Sequence, residues 1–356
     1  MMDRYIFVLG THPLLSIEEL IAVVEPLGHV VACTRQFLVF EGSLDPEGLL
    51  TRLGGTIKIA QVVDTVDNAL TVSVDHLLKL FRVPMHEHEG RFIFGMSVYG
   101  PSAVARHMER VGLGFKKHIR AAITRVRFIW NREGILSSVV IQKNSLLGKE
   151  LLVCVSDRTY LALTRAVQDF ESYGNRDYGR PRRNAQRGML PPKLAQVMIN
   201  LSRAHADDTL LDPFCGGGTI VQEAGMMGIR EVYGIDRDPL AIAEATENSE
   251  WLQRTFHVPL PHIAAGDSTD LVRQFQTGFF DAIVTEPFLG PARLLRSHSF
   301  TRNQLQQVMD DIGRDYRSFF QSAASVVKQG GRLVVILPIF KLFGHEYAPV
   351  ALEMPS

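Results

Sequence analysis

The 356-residue chain is 46% hydrophobic and 21% charged, an ordinary globular composition that excludes a disordered, fibrous or collagen-like protein. Lysine plus arginine (38) equals aspartate plus glutamate (38), so a polyanionic partner would have to be held by locally clustered charge. The cysteines Cys33, Cys154 and Cys215 lie far apart without paired metal-ligand spacing, which predicts a reducing compartment, no disulfide framework and no metal site. We expect a cytoplasmic protein that does not enter a membrane, since neither a secretory signal nor an uncharged run of roughly 18 residues is found.

The first 155 residues predict two small mixed α/β domains. Residues 1–61 favour a ferredoxin-like domain, in which Ser16 caps a helix, Glu19 is its capping-box partner, the helix covers 17–24, and strands cover 5–9, 30–32 and 37–40. Residues 62–155 alternate again, with helical stretches at 104–111 and 116–124 and strands at 92–98, 126–130 and 138–141. Neither arrangement indicates a function by itself.

The remaining residues predict a basic linker and an α/β domain. Residues 156–190 interleave arginines with tyrosine, glycine and proline, which is typical of an extended linker. In residues 191–356 a helix at 193–203 is followed by helices alternating with short apolar strands at 209–211, 232–235, 262–265, 280–285 and 332–338. This alternation predicts a parallel, doubly wound sheet of the Rossmann type. Only residues 343–356 follow the fifth strand, so we expect this domain to lack the helix and terminal hairpin that normally complete such sheets.

A glycine-rich turn follows the first of these strands. The glycine loop, Asp-Pro-Phe-Cys-Gly-Gly-Gly-Thr at 212–219, lets a ligand approach the backbone but lacks the lysine of a phosphate loop. Its acid suits an ammonium group, Asp236 ends the second strand where a ribose is bound, and Asp267 ends the third, where it could accept from an adenine amine. S-adenosylmethionine contains all three groups, an ammonium, a ribose and an adenine amine. The alternative is that these strand ends are only tight turns. The candidate cofactor residues are Asp212, Phe214, Gly216, Gly218, Thr219, Asp236, Arg237, Asp267 and Ser268.

The fourth strand ends in a turn that predicts a reaction site. Glu286, the carbonyl of Pro287 and the ring of Phe288 could hold the two hydrogens of an exocyclic amine and stack on its base. The alternative is a turn that only ends the strand.

Basic residues cluster twice in the chain. Six basic and no acidic residues lie between 113 and 132, and five arginines lie between 176 and 187, which predicts contacts to phosphates. A solvated helix face and a polar linker are the alternatives. His86 and His88 are expected to be surface loop residues rather than metal ligands. The candidate RNA-binding residues are Lys116, Lys117, Arg125, Arg127, Arg176, Arg180, Arg182 and Arg183.

Several of these stretches carry a resemblance to one family. The glycine loop, Asp236, Asp267 and the turn at 285–290 are similar to the amino-methyltransferase branch of the Rossmann-fold methyltransferases. Upstream, Leu-Ser-Ser at 136–138, Gln-Asp at 168–169, Arg-Asp at 176–177, Arg-Pro at 180–181 and Gly-Met-Leu-Pro-Pro-Lys-Leu-Ala at 188–195 resemble the tRNA guanine-N2 methyltransferases that carry a THUMP domain. The resemblance implies transfer of a methyl group from S-adenosylmethionine to the 2-amino group of a guanosine in the D-arm region of tRNA. It also implies that residues 62–155 are a THUMP-like domain that grips the acceptor end.

One departure from the family pattern keeps alternatives open. The usual turn is Asp-Pro-Pro-Tyr or Asn-Pro-Pro-Tyr, whereas this chain has Glu-Pro-Phe-Leu at 286–289. The alternatives are a catalytically impaired module that binds tRNA and cofactor, or an amino-methyltransferase that acts on DNA or ribosomal RNA. The sequence identifies no small activating protein partner.

Overall fold

The computed structural model describes residues 2–82, 91–183, 189–290, 302–342 and 345–349. The chain divides into two compact units, Met1–Ser172 and Tyr173–Ser356. His86 and His88 lie outside the described residues. Within the described ranges, no helix is long and apolar enough to cross a membrane, and no group of three or more His, Cys, Asp or Glu side chains could hold a metal ion.

The first unit is built on a single eight-stranded sheet. The strands are β1 (Asp3–Leu9), β2 (Gly28–Cys33), β3 (Phe37–Gly42), β4 (Thr56–Val66), β5 (Arg91–Tyr99), β6 (Arg125–Ile129), β7 (Glu150–Val155) and β8 (Thr159–Val167). Their order is β2-β3-β1-β4-β8-β7-β5-β6, and the pairs are antiparallel except that β5 runs parallel to β6 and β7. The predicted boundary at 61/62 falls inside β4, which pairs with both β1 and β8.

The described part of residues 1–178 contains six helices. They are α1 (Pro13–Val24), α2 (Pro46–Arg52), α3 (Val74–Phe81), α4 (Ser102–Ile119), α5 (Ser138–Lys143) and α6 (Phe170–Tyr178), the last of which runs across the division between the units. The predicted stretch 104–111 and the first part of 116–124 belong to one helix, α4, which ends at Ile119. Gly112 lies inside this helix and packs against the ring of Phe128. About half of the predicted linker at 156–190 consists of β8 and α6 and is therefore not an extended linker.

Two further local predictions are corrected. Helix α1 begins at Pro13, because a proline at the first position is already shaped for a helix start, so Ser16 and Glu19 lie inside it and do not form a capping box. Glu19 accepts hydrogen bonds from the backbone N–H groups of Gly54 and Gly55, both at 2.8 Å. The predicted strand at 138–141 is helix α5, which begins where Ser137 accepts from the N–H of Val140.

The second unit is a parallel, doubly wound sheet, as the alternation of elements predicts. Its strands are β9 (Thr209–Asp212), β10 (Glu231–Asp236), β11 (His262–Ala265), β12 (Phe280–Thr285) and β13 (Val327–Val335), in the order β11-β10-β9-β12-β13. The helices are α7 (Pro192–Leu201), α8 (Thr219–Met226), α9 (Pro239–Phe256) and α10 (Arg302–Val326). A short hairpin of β14 (Phe340–Leu342) and β15 (His345–Tyr347) follows, contrary to the expectation above.

Strand order reverses between β9 and β12. Helices α7 and α8 cover one side of the sheet through an apolar cluster that includes Ile199 and Val221, and α10 covers the other side through Phe319 and Val326. In open sheets of this kind, ligands bind outside the carboxyl ends of the strands at the point of reversal. The ends of β9 and β12 are therefore the place to look for a site.

Candidate functional site

The glycine loop has the backbone geometry of a ligand cradle. Gly216 and Gly218 have positive φ angles of 50° and 86°, in the left-handed region that side chains rarely adopt. Apart from Gly216 and its two chain neighbours, no described residue has an atom within 4 Å of the point where a Cβ on Gly216 would stand. A Cβ on Gly218 would lie 2.9 Å from the side chain of Gln222. The loop is therefore open above Gly216 and tightly packed at Gly218, where α8 begins.

Asp236 holds the glycine loop from the end of β10. Its Oδ2 accepts from the N–H of Gly216 at 3.0 Å, and its Oδ1 accepts from the N–H of Asp238 at 2.9 Å. Its carboxylate is thereby fixed beside the open part of the loop. The neighbouring Arg237 is exposed.

The third strand ends in an exposed carboxylate and a buried hydroxyl. Asp267 Oδ1 accepts from the N–H and the Oγ1 of Thr269 at 2.9 and 2.7 Å, and these bonds keep the pKa of Asp267 below its usual range. Arg237 lowers it further by charge attraction. Ser268 is buried. Asp267 is therefore a charged acceptor at neutral pH.

Asp212 is a buried acid at the end of β9. Its Oδ1 accepts from the N–H of Phe214 at 3.1 Å and from Thr285 Oγ1 at 2.7 Å. Burial raises the pKa of Asp212 to about 7, although these two hydrogen bonds lower it. The charges of Asp236 and Glu286 add to the rise. The bond to Thr285 ties the end of β9 to the end of β12. Sequence reasoning missed Thr285, because its hydroxyl looks like an ordinary strand residue.

Asp212→Asn should stabilise the ligand-free protein at pH 8 by about 1–3 kcal/mol, because an amide oxygen can accept the same two bonds without a buried charge. Because the pKa of Asp212 is near 4 in the unfolded chain and about 7 in the folded protein, wild type loses stability as pH rises from 4 to 7. The stability that Asp212→Asn gains over wild type should therefore vanish toward pH 4. Denaturant unfolding at pH 4 to 8 measures this difference. Asp267→Asn is the control, since the pKa of Asp267 is lowered and no such gain is expected. Equal stability of Asp212→Asn and wild type at pH 8 would contradict the assignment.

A side chain of α10 is hydrogen-bonded to the turn that follows β12. Glu286 is half-buried, and burial raises its pKa. Pro287 is buried, whereas the side chain of Phe288 is 58% exposed. Tyr316 of α10 donates its hydroxyl to the carbonyl oxygen of Phe288 at 3.0 Å. Burial and the charge of Glu286 both raise the pKa of Tyr316. Sequence reasoning missed Tyr316, because one buried position in an amphipathic helix carries no functional signal.

Phe214 and Thr219 complete the predicted cofactor residues. Phe214 is half-buried, with its ring edge-on to that of Phe319 at 5.1 Å between centroids. Thr219 is the first residue of α8, and its Oγ1 accepts from Arg180 at 2.8 Å. The structure thus brings Asp212, Asp236 and Glu286 together around the glycine loop, with Asp267 at the end of the neighbouring strand.

The predicted RNA-binding residues do not form one surface. Lys116 and Lys117 lie in the last turn of α4. Arg125 and Arg127 are exposed on edge strand β6, where they alternate with Val126 and Phe128, which pack with the core that contains α4. The two arginines therefore project to the opposite side of the sheet from α4.

Two predicted RNA contacts are corrected because their side chains are buried. Arg176 pairs with Glu223 of α8 at 2.7 Å, and Arg180 bonds to Thr219, each arginine being 5% exposed. Arg182 and Arg183 are exposed. Arg182 pairs with Glu247, and Arg183 lies over the ring of Tyr178 with its guanidinium carbon 4.8 Å from the centroid.

The parallel sheet with acids at its strand ends has the arrangement of the Rossmann-fold methyltransferases. The sequence model of the family described as RMKL-like, methyltransferase domain matches residues 180–349. A probable tRNA (guanine(10)-N2)-dimethyltransferase of Methanothermococcus thermolithotrophicus is 30% identical over 122 residues, which cover 34% of this chain and 71% of that protein. The tRNA (guanine(10)-N2)-dimethyltransferase of Methanothermobacter thermautotrophicus is 33% identical over 187 residues, 52% of this chain and 49% of the relative.

The chain belongs to the family of tRNA guanine-N2 methyltransferases that these relatives represent. The matched segments nevertheless span about half or less of the length of the first relatives, 49% and 39%. The crystal structure of TrmN from Thermus thermophilus has the same fold, with a TM-score of 0.55 and 18% identity, over 95% of this chain and 89% of that one.

Proposed function

We propose that the protein transfers a methyl group from S-adenosylmethionine to the N2 amine of a guanosine in the D-arm region of tRNA. The hydrogen bond from Thr285 to Asp212 carries the proposal, because it joins the strand end beside the cofactor loop to the strand end that bears Glu286. Two relatives are named for methylation of guanine N2 in tRNA, which supports the same substrate. We also propose a cytoplasmic location, which is compatible with that substrate.

The residues around the glycine loop fit S-adenosylmethionine. The open space above Gly216 admits a ligand to the backbone, and the fixed carboxylate of Asp236 suits a pair of ribose hydroxyls. The buried acid Asp212 suits an ammonium group, which would hold it in the charged form. Asp267 would accept from an adenine amine. The bound cofactor supplies an electrophilic methyl group, and the protein supplies binding and orientation.

The turn at 286–288 suits the amine that receives the methyl group. The Glu286 carboxylate and the Pro287 carbonyl are two acceptors for two amine hydrogens, which would hold the nitrogen lone pair toward the donor. The exposed ring of Phe288 offers a stacking surface worth about 1–3 kcal/mol per base. Methylation makes the amine acidic, so Glu286 or water can accept the released proton. Tyr316 fixes the turn through the Phe288 carbonyl and acts as a positioning residue.

RNA contacts are divided between the two units in this proposal. Residues 62–155 would act as the THUMP-like RNA-binding domain after an N-terminal domain at 1–61, and residues 191–356 as the methyltransferase domain. The basic side chains that would meet phosphates are the half-buried Lys116 and the exposed Lys117, Arg125, Arg127, Arg182 and Arg183.

Replacing Arg182 and Arg183 together by glutamine should weaken tRNA binding and flatten its salt dependence. Each lost phosphate contact lowers the slope of log affinity against log salt by about 0.7–0.9, the range from single strands to duplex DNA. Affinity for the cofactor should not change. Binding measured at several salt concentrations tests this, with Arg254→Gln, an exposed arginine of α9, as the control. An unchanged slope would show that Arg182 and Arg183 face solvent and do not contact RNA phosphates.

Transfer of labelled methyl to unmodified tRNA, followed by nucleoside analysis, tests the function. We expect label in N2-methylguanosine or its dimethyl form. Label in methyladenine, or in ribosomal RNA or DNA in preference to tRNA, would overturn the substrate. Binding of both cofactor and tRNA with no transfer would identify a module that has lost catalysis.

A further inference from the structure

A buried guanidinium with unused hydrogen-bonding capacity lies beside the glycine loop. Arg180 is 5% exposed, and its Nη1 donates to Thr219 Oγ1 at 2.8 Å. Among the described residues, neither its Nε nor its Nη2 has an acceptor. Asp177 and, to a smaller extent, Glu223 attract Arg180 by charge, but neither is hydrogen-bonded to those two nitrogens. Glu223 Oε1 is bonded to Arg176, and its buried Oε2 has no hydrogen-bond partner among the described residues. Buried donors are nearly always satisfied in native proteins, by protein atoms, ordered water or a ligand, so these two are free to bind a ligand atom.

The surroundings of Arg180 favour an anion. Thr219 is the first residue of α8, directly after Gly218 in the left-handed conformation. The first N–H groups of a helix point outward without intrahelical partners, and the helix dipole adds positive potential there. A guanidinium anchored to that first residue strengthens both effects. The site therefore combines a fixed planar cation with free backbone donors at one end of the glycine loop.

We propose that Arg180 binds the carboxylate of the amino-acid part of S-adenosylmethionine, together with the N-terminal amides of α8. This inference rests on the proposed function. An α-amino acid carries its ammonium and its carboxylate on one carbon, and the loop 212–219 has the acid Asp212 at its first residue and the base Arg180 bonded to its last. Arg180 is almost fully enclosed, which suits a small ligand better than the phosphate backbone of an RNA.

Calorimetry with two ligands that differ only in the carboxylate isolates this contact. The probes are S-adenosylhomocysteine and S-adenosyl-3-thiopropylamine, its decarboxylated counterpart, titrated into the full chain. Wild type should prefer the carboxylate-bearing ligand by about 10- to 100-fold, the range of a charged hydrogen-bonded contact. Arg180→Gln should reduce the preference to less than about 3-fold and change the affinity for the decarboxylated ligand by less than about 2-fold.

Arg180→Lys covers the case in which the glutamine variant does not fold. Lysine keeps the charge but lacks the planar pair of donors, so its preference should lie between wild type and no preference. Arg254→Gln should keep the wild-type preference. Thermal unfolding of each variant shows which of them are folded.

Three results would overturn the role of Arg180 without overturning the proposed function. They are equal affinity of wild type for the two ligands, a preference that both variants retain, and a parallel loss of both ligands, which would make Arg180 a support of the loop. A retained preference with a flatter salt dependence of tRNA binding would assign the site to an RNA phosphate. Failure of wild type to bind either ligand would overturn the proposed function as well.

Discussion

Asp236→Ala should weaken cofactor binding by about 10- to 100-fold, because two effects act at one carboxylate. A charge-assisted bond to a ribose hydroxyl contributes about 1.5–3 kcal/mol. The structure adds a second effect, since the same carboxylate accepts from the N–H groups of Gly216 and Asp238 and thereby sets the path of the glycine loop. Calorimetry with S-adenosylhomocysteine measures the loss.

Asp236→Asn and Asp238→Ala separate these effects. An asparagine at 236 keeps one acceptor oxygen and loses the charge, so its affinity should lie between those of wild type and Asp236→Ala. Asp238 caps α9 by accepting from the N–H of Leu240 at 2.9 Å, so its alanine variant should cost about 1 kcal/mol of stability while the cofactor still binds. Unchanged cofactor affinity in Asp236→Ala would show that the end of β10 does not bind the cofactor.

Periodicity and turn chemistry predicted the parts of this protein that depend on local sequence. Apolar strands alternating with helices were enough for the parallel sheet, and because such strands end at one edge, their terminal acids Asp212 and Asp236 were expected to meet. Nothing local predicts a partner far along the chain. Tyr316 reaches the turn from a helix 28 residues away, and the Arg176–Glu223 pair spans 47 residues.

The arginines of the predicted linker show the same limit of prediction from local sequence. Arginine is usually exposed, so composition alone assigned Arg176 and Arg180 to the surface. Their burial depends on acceptors on α8 that the sequence does not place beside them, Glu223 and Thr219. Conversely, Pro13 started a helix one turn before the serine that the capping pattern selected. Where two local signals compete, the packing of the rest of the fold decides between them.

Glu286→Gln should slow methyl transfer by about 10- to 100-fold at saturating cofactor and tRNA, while both binding steps persist. The amide keeps the size of the side chain but presents an NH₂ group to the substrate amine and loses a charged acceptor worth about 1.5–3 kcal/mol. Burial raises the pKa of Glu286, so the wild-type rate should fall as pH drops through that raised value, where the acceptor becomes protonated. The glutamine variant should lack this part of the profile. Single-turnover rates across pH measure both effects.

Glu286→Asp distinguishes a working site from a decayed one. Shortening the acid withdraws its carboxylate by roughly an ångström, and a misplacement of that size can cost about 100-fold in rate. If the Glu-Pro-Phe-Leu turn and the Tyr316 bond have adapted the site to glutamate, the aspartate variant should therefore be slower than wild type. A faster aspartate variant would show that the turn has decayed from the family pattern. Tyr316→Phe, which removes only the bond to the Phe288 carbonyl, is the matched control for a shift of the turn. Equal rates for wild type and all three variants would remove Glu286 from the reaction.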